Sequence, residues 1–413
     1  MEMAGKIDGE LRVRAARVIP GGMYGHQSVA LLPPHAPQFF MRAEGAYLWD
    51  ADGNRYIDFM CGYGPNLFGY CNPEIDAAYA RQMAEIDVAT GPTPRMVELA
   101  EAFTGMVTHA DWAMFCKNGT DASSMALLTA RAYRGRKKVL MASGAYHGAA
   151  PWCTPIPAGT VEDDRAHFIY YQYNDVKSLE HAVALAGDDL AAIFASPFKH
   201  DVFVDQELPD PAYARRAREL CDEKDALLLV DDIRAGFRIE RNCSWAHLGV
   251  EPDLSTWGKA IANGHPISAL LGNDRAREAA SKIYVTGSFW FAGAAMAASL
   301  ETLRLIRETD YLERTIALGD RLRIGLAAIA RARGINLSQT GPSQMPLIMI
   351  VDDEGHCDFE NSSAFADGMI AGGVYFHPFH NMFIGAAMSE ADIDRALEIA
   401  DGAAKRISTS TVV

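Results

Sequence analysis

With 413 residues, 49% of them hydrophobic and 22% charged, the chain has an ordinary globular composition and enough length for two or three domains. Its formal charge of −15 argues against nucleic-acid or anionic-membrane partners, and no uncharged apolar run is long enough to cross a bilayer. Seven cysteines (Cys61, Cys71, Cys116, Cys153, Cys221, Cys243 and Cys357) form no C-x-x-C pair, and Met1 to Arg17 lacks a signal peptide's apolar segment, so reduced thiols in a cytoplasmic protein are expected.

Residues 7–18 carry a helical pattern that Pro20-Gly21-Gly22 ends, and an irregular loop runs from there to about Gln38. Two strands, near 46–49 and 56–59, flank the turn Asp50 to Asn54. That acidic turn is no EF-hand, because Cys61 stands where the twelfth position needs a glutamate. From about 93 to 275, amphipathic stretches near 93–106, 122–134, 175–186 and 211–224 alternate with apolar runs near 113–116, 138–142, 191–195, 226–231 and 268–272. The alternation predicts a largely parallel sheet covered by helices. Residues 294–332 read as one long helix. A mixed segment follows: strands near 347–351 and 373–376, helices near 361–371 and 390–406, and a frayed end at Ser408 to Val413. The division expected is an N-terminal segment 1–60 packing with a small α+β domain 311–413, and a large domain 61–310.

Lys259 lies in the short apolar stretch Pro252 to Ile261, bracketed by Gly258 and Gly264. Partial desolvation there lowers an ammonium pKa and favours a neutral amine able to form a Schiff base. Asp231 follows the buried-strand run Ala226 to Val230, at the carboxyl end where open α/β sheets bind ligands. A lysine amine and a carboxylate for a pyridinium nitrogen are the pair that pyridoxal phosphate chemistry uses. Asn118-Gly119-Thr120-Asp121 opens a helix after a strand, which suits a phosphate but equally an ordinary N-cap. Tyr146, in Gly144 to Gly148, can stack on a flat heterocycle, although a Tyr-His pair also reads as packing. Ile233 shares the side of Asp231 and can press on the other face. His377 and His380 lack a third metal ligand and read as loop or substrate-pocket groups, and Lys199-His200-Asp201 reads as a solvated turn.

The segments GAYLWDADGNRYIDF, GPNLFGYCNPEI, NGTDA, GAYHG, LLLVDDIRAGFR, GVEPDLSTWGKAIANGHPISALLG and VTGSF resemble those of class III (ornithine-type) pyridoxal-phosphate aminotransferases, closest to the glutamate-1-semialdehyde aminomutase-like branch. The resemblance covers nearly the whole chain. It implies a fold-type I α/β architecture, with a large, mostly parallel seven-stranded sheet domain beside the small one, and pyridoxal 5'-phosphate as cofactor. It further implies that Lys259 holds the cofactor and moves the proton, and that Asp231 keeps the pyridine nitrogen protonated. Tyr146 and Ile233 would flank the ring, and Gly119 and Thr120 would bind the phosphate. Ser288 would reach the phosphate of a partner subunit, making a homodimer with shared active sites. Tyr63 would line the substrate pocket.

Departures from the family pattern bear on substrate. Ser28 stands where aminomutase-like members carry an arginine, Ser196-Pro197 replaces Glu-Pro, Phe291-Ala292-Gly293 replaces Gly-Asn-Pro, and the loop His377 to Met382 is shortened. Charged grips give way to Tyr24, Tyr63, Trp290 and His380 as expected substrate walls. The reading is a ping-pong transaminase moving an amino group from an amine donor to a ketone or aldehyde, on a non-α-amino-acid or amino-sugar-like substrate. The rivals are intramolecular aminomutase chemistry of the glutamate-1-semialdehyde type and a non-enzymatic binding protein.

Overall fold

The computed structural model describes residues 5–410, with side chains through Ile407. Its first elements are helix α1 (Lys6–Val18) and strands β1 (Phe40–Glu44), β2 (Tyr47–Asp50) and β3 (Arg55–Asp58). There follow α2 (Pro73–Glu85), α3 (Arg95–Thr104), β4 (Trp112–Cys116), α4 (Gly119–Arg134), β5 (Lys138–Ala142), β6 (Phe168–Tyr171), α5 (Val176–Ala186) and β7 (Leu190–Ala195). Next come α6 (Pro211–Glu223), β8 (Leu227–Asp231), β9 (Leu254–Trp257), β10 (Ser268–Gly272), α7 (Asp274–Lys282) and α8 (Gly293–Glu308). The chain closes with α9 (Tyr311–Arg333), β11 (Leu337–Thr340), β12 (Leu347–Ile350), α10 (Phe359–Ala371), β13 (Val374–Tyr375) and α11 (Glu390–Ser410). The end expected to fray at Ser408 is still helical through Ser410, and 411–413 lie outside the described residues.

The chain divides into two compact units, one of residues 73–201 and 207–312, the other of 1–72, 202–206 and 313–413. In the first, seven strands run in the order β4-β10-β9-β8-β7-β5-β6. Only β10 opposes its neighbours, so the other six point one way. The central strands β7 and β8 read Leu-Ala-Ala-Ile-Phe-Ala and Leu-Leu-Leu-Val-Asp and are buried throughout, as strands covered on both faces require. Leu227, Leu229, Phe194 and Val139 join one hydrophobic cluster with the inner face of α4. Helix starts follow side-chain caps: Asn118 accepts from the Asp121 amide at α4, and Asp210 from the Ala212 amide at α6, with Pro211 in the first turn.

In the second unit, β1, β2 and β3 form an antiparallel meander, and β13 adds to β3 in parallel. The boundary near residue 60 shifts to Asn72. Residues 61–72 are tied back by the Gly45–Tyr70 bridge and by the Ala386 amide on the Leu67 carbonyl. Close approach at Gly368 and Gly372 lets α10 lie against Ala403 and Ile399 of α11.

Two strands of the large sheet escaped the sequence reading. β6 is a four-residue edge strand, and β9 (Leu-Ser-Thr-Trp) buries Ser255 and Thr256 and so is not a plain apolar run. The single helix expected over 294–332 is two helices. Thr309 is extended, and the Arg241 guanidinium caps the end of α8 by donating to the Ile306 and Thr309 carbonyls at 3.2 and 2.9 Å. No helix among the described residues is long and apolar enough to span a membrane.

Leu229 is 1% exposed at the centre of β8. Leu229→Ala is expected to lower unfolding free energy by about 3 kcal/mol, the scale of a buried leucine deletion. Urea denaturation measures it, and a loss below about 1 kcal/mol would place the core elsewhere.

Candidate active site

Five turns gather at the carboxyl ends of the parallel strands. They are Asn118-Gly119-Thr120 after β4, Gly144 to His147 after β5, Ser196 to Asp201 after β7, Asp231 to Arg234 at β8 and Gly258-Lys259 after β9. Ligands bind at this end of an open α/β sheet because helix N-termini and unpaired strand ends converge there.

Asp231 is 6% exposed, and three segments supply its hydrogen bonds. It pairs in register with Thr256 of β9, whose hydroxyl donates to Oδ1 at 2.9 Å. The Ile233 amide donates to the same oxygen at 3.2 Å. His147 Nδ1 lies 2.7 Å from Oδ2, and its ring is stacked on Phe194 with centroids 4.2 Å apart. The Tyr146-His147 pair is therefore more than packing, which residue spacing alone did not reveal.

Lys259 takes a left-handed backbone conformation (φ 48°), uncommon for a side chain of its size. Part of the side chain stays accessible, but enclosure by protein, helped by the Arg234 charge, lowers its pKa to about 7 against the pull of Asp231. Arg234, whose own pKa falls to about 10 through burial, donates to the His200 carbonyl at 3.5 Å. His200 is 7% exposed, so Lys199-His200-Asp201 is not the solvated turn expected. The bridge of Lys199 to Glu207 folds the segment inward, and burial holds the His200 imidazole well below its usual pKa.

Gly119 and Thr120 are half-buried in the first turn of α4, where backbone amides lack intrahelical partners. A Cβ on Gly119 would stand 2.8 Å from Ile233 Cδ1, so a larger residue there would have to push the Ile233 side chain aside. Thr120 Oγ1 accepts from the Ala149 amide at 3.1 Å. Tyr146 is 39% exposed, and burial of the rest, opposed by the Arg234 charge, raises its pKa. A buried amine, a carboxylate with three donors, an exposed aromatic face and a helix N-terminus together fit pyridoxal phosphate.

Ser288 is exposed and makes no hydrogen bond among the described residues, while its neighbours Phe289 and Tyr284 are 62% and 90% exposed. Trp290 packs against the hydrophobic cluster of the sheet. In the other unit Tyr24 is 74% exposed, and Tyr63 (φ 66°) donates to the His26 carbonyl at 2.9 Å. Burial raises the Tyr63 pKa to about 12. The Tyr63 ring lies 5.5 Å from His380 and 6.2 Å from His377. His377 Nδ1 accepts the Phe379 and His380 amides, and burial lowers its pKa to about 3, so its role is to shape the loop.

The Lys259 pKa makes a pH prediction. The amine is neutral above pH about 7, whereas the unfolded chain holds that proton to about 10.5, so the Lys259 contribution to folding stability rises with pH between these values. Covalent uptake of pyridoxal phosphate by apo-protein should fall about tenfold per unit below pH 7 and vanish in Lys259→Ala. Borohydride trapping measures both; uptake that climbs only near pH 10 would mean an ordinary lysine.

The family described as Aminotransferase class-III matches residues 32–384. The aminopentol aminotransferase of Sphingopyxis macrogoltabida is 59% identical over 394 residues, covering 95% of this chain and 93% of that protein. The 3-aminobutyryl-CoA aminotransferase of Cloacimonas acidaminovorans (strain Evry) is 30% identical, covering 93% of each chain. The solved FumI protein of Sphingopyxis sp. MTA144, in its PLP internal aldimine form, superposes with a TM-score of 0.97 at 57% identity, covering 98% of each chain. The first two of these relatives carry aminotransferase names, and the aminomutase branch finds no support among them. The chain belongs to the class-III aminotransferases and is a pyridoxal-phosphate-dependent transaminase of that family.

Proposed function

We propose that this transaminase takes the amino group from a neutral, hydroxyl-bearing or partly apolar amine and passes it to a ketone or aldehyde in a ping-pong cycle, with Lys259 and Asp231 as its catalytic residues. The observation that carries the reading is a lysine amine with a pKa of about 7 beside a strand-end carboxylate that three donors hold. Pyridoxal phosphate, when bound, supplies an aldehyde and an electron-withdrawing ring that acidifies the carbon bearing the amine. Lys259 Nζ would hold the aldehyde end of that group, and its lowered pKa suits it to take up or give a proton near neutral pH. Asp231 would face the ring nitrogen. Gly119 and Thr120 amides receive the phosphate, while Tyr146 and Ile233 confine the ring.

The substrate class is argued from two relatives, named for an aminopentol and for 3-aminobutyryl-CoA, and from missing charge. Ser28, at the position of the arginine in aminomutase-like relatives, turns its hydroxyl to the Ala30 amide at 3.4 Å. Tyr24, Tyr63 and His380 in one unit, and Trp290 in the other, each offer a ring for stacking or hydrogen bonding to a substrate. A donor panel of aminopolyols, amino sugars, alkyl amines and α-amino acids tests this by bleaching of the bound pyridoxal chromophore. Neutral amines should bleach it faster than α-amino acids. Efficient isomerisation of glutamate-1-semialdehyde would overturn the reading. Asp231→Asn should fold yet slow the donor half-reaction by about a hundredfold or more, the scale of one acid-base group.

Homodimerisation with shared sites completes the proposal. The exposed Tyr284 and Phe289 beside Ser288 suit a partner subunit, from which Ser288 would reach the phosphate. None of the seven cysteines is in a disulfide, in keeping with a reducing, cytoplasmic setting. Ser288→Ala should weaken cofactor binding by about 1 kcal/mol, the net worth of one hydrogen bond. Mixed dimers of Lys259→Ala with a stronger partner-loop variant should recover activity; verified heterodimers without any would argue for a self-contained site.

A further inference from the structure

Lys117 has no part in the chemistry described so far. It follows Cys116, the last residue of β4, and precedes Asn118, the cap of α4, so it stands two residues before Gly119. Trp112, Met114 and Cys116 face the hydrophobic cluster beneath α4. Alternation puts Phe115 on the opposite face, where it packs on Phe103 of α3 with ring centroids 6.2 Å apart, and Lys117 continues that face. The lysine is half-buried and makes no hydrogen bond or ion pair among the described residues. Burial lowers its pKa, and the Asp87 charge opposes that shift. Asp87 has a task of its own, since its Oδ1 and its carbonyl accept the Ala294 and Gly293 amides at 2.9 and 3.0 Å where α8 begins.

An ammonium held partly out of water without a bonded partner is a cost that an anion offsets. The turn beside it is short of positive charge. A phosphate monoester carries about −1.5 to −2 at neutral pH, whereas a helix N-terminus supplies only about +0.5. Asp121, in the first turn of α4, adds a negative charge. Asn118 has no donor to spare for a phosphate in this arrangement: its Oδ1 accepts the Asp121 amide at 3.0 Å, and its Nδ2 donates to Asp121 Oδ2 at 2.9 Å. Lys117 is the only basic residue from Cys116 to Ala130. Arg234 interacts instead with Tyr146, Asp231 and Asp201.

We infer that Lys117 is a cofactor-binding residue whose Nζ donates to the phosphate and supplies the positive charge that the Gly119 and Thr120 amides do not. The inference rests on the proposed seating of the phosphate at those amides. At most about 7 Å separates the Cα atoms of Lys117 and Gly119, a span that a flexible four-carbon stem covers. The same stem lets the charge stay at the strand end while its carbons lie along the Phe115 face.

Two ligands separate a phosphate contact from general support of the site. Apo-protein is titrated with pyridoxal phosphate and, separately, with pyridoxal, which lacks the phosphate, and binding is read by absorbance. Lys117→Gln should weaken pyridoxal phosphate binding about tenfold or more, the value of a hydrogen bond between charged groups, and leave pyridoxal binding within about twofold of wild type. Lys117→Arg keeps the charge and should restore most of that loss. Added salt should weaken pyridoxal phosphate binding more steeply in wild type than in Lys117→Gln. Wild-type affinity in Lys117→Gln would overturn the inference, as would equal losses for the two ligands, the result expected if Lys117 only steadies the Asp87 loop. Lys117→Arg binding no better than Lys117→Gln would also overturn it. Thr120→Ala reports on the seat itself: without a phosphate-selective loss there, the seating at Gly119 and Thr120 fails, while the two-ligand comparison in Lys117→Gln still judges Lys117.

Discussion

A carboxylate buried at the end of a fully buried strand has to be hydrogen-bonded, and meeting that demand organises the sheet end around Asp231. Its donors come from three sequence-distant places: Thr256 on the neighbouring strand, the Ile233 amide in its own turn, and His147 in the turn after β5. Each donor fixes the segment that carries it. The register of β8 against β9 puts Thr256 alongside, and the next residues of β9 lead directly to Lys259. The same requirement thus places the amine and the carboxylate relative to each other without any direct bond between them.

Lys259 illustrates how burial becomes chemistry. Enclosure penalises its ammonium, and the Arg234 and Arg238 charges add to that penalty, so the amine is neutral at a pH where a surface lysine is fully protonated. Its positive φ stores local strain that the fold maintains. Asp231 works the other way on the same group, attracting its proton, so the amine sits between two protonation states near neutrality. A group poised like this can both attack a carbonyl and carry a proton.

In the other unit the logic is shape more than charge. His377 spends Nδ1 on two backbone amides and stays uncharged, so it holds the shortened loop, one of the two roles its sequence position suggested. Tyr63 lies beside the rings of His26, His377 and His380.

Alternating apolar and amphipathic runs were enough to read a covered parallel sheet, because burial on both faces demands continuous apolar strands. Asp231 and Lys259 were legible for the same reason: a charge directly after such a run, or inside a short apolar stretch, contradicts its surroundings. Strand order, the two polar or edge strands β6 and β9, and the break at Thr309 were not legible, since each depends on partners far along the chain. His147 and His200 belong with them. Local sequence offers an imidazole packing or solvent as readily as a carboxylate, and only the folded chain brings His147 to Asp231 at 2.7 Å and folds His200 out of water. The sequence by itself marked the groups proposed to carry the chemistry, because their cost of burial is local; the tertiary structure decided which groups hold them in place, because a hydrogen bond between distant segments exists only once the sheet has formed.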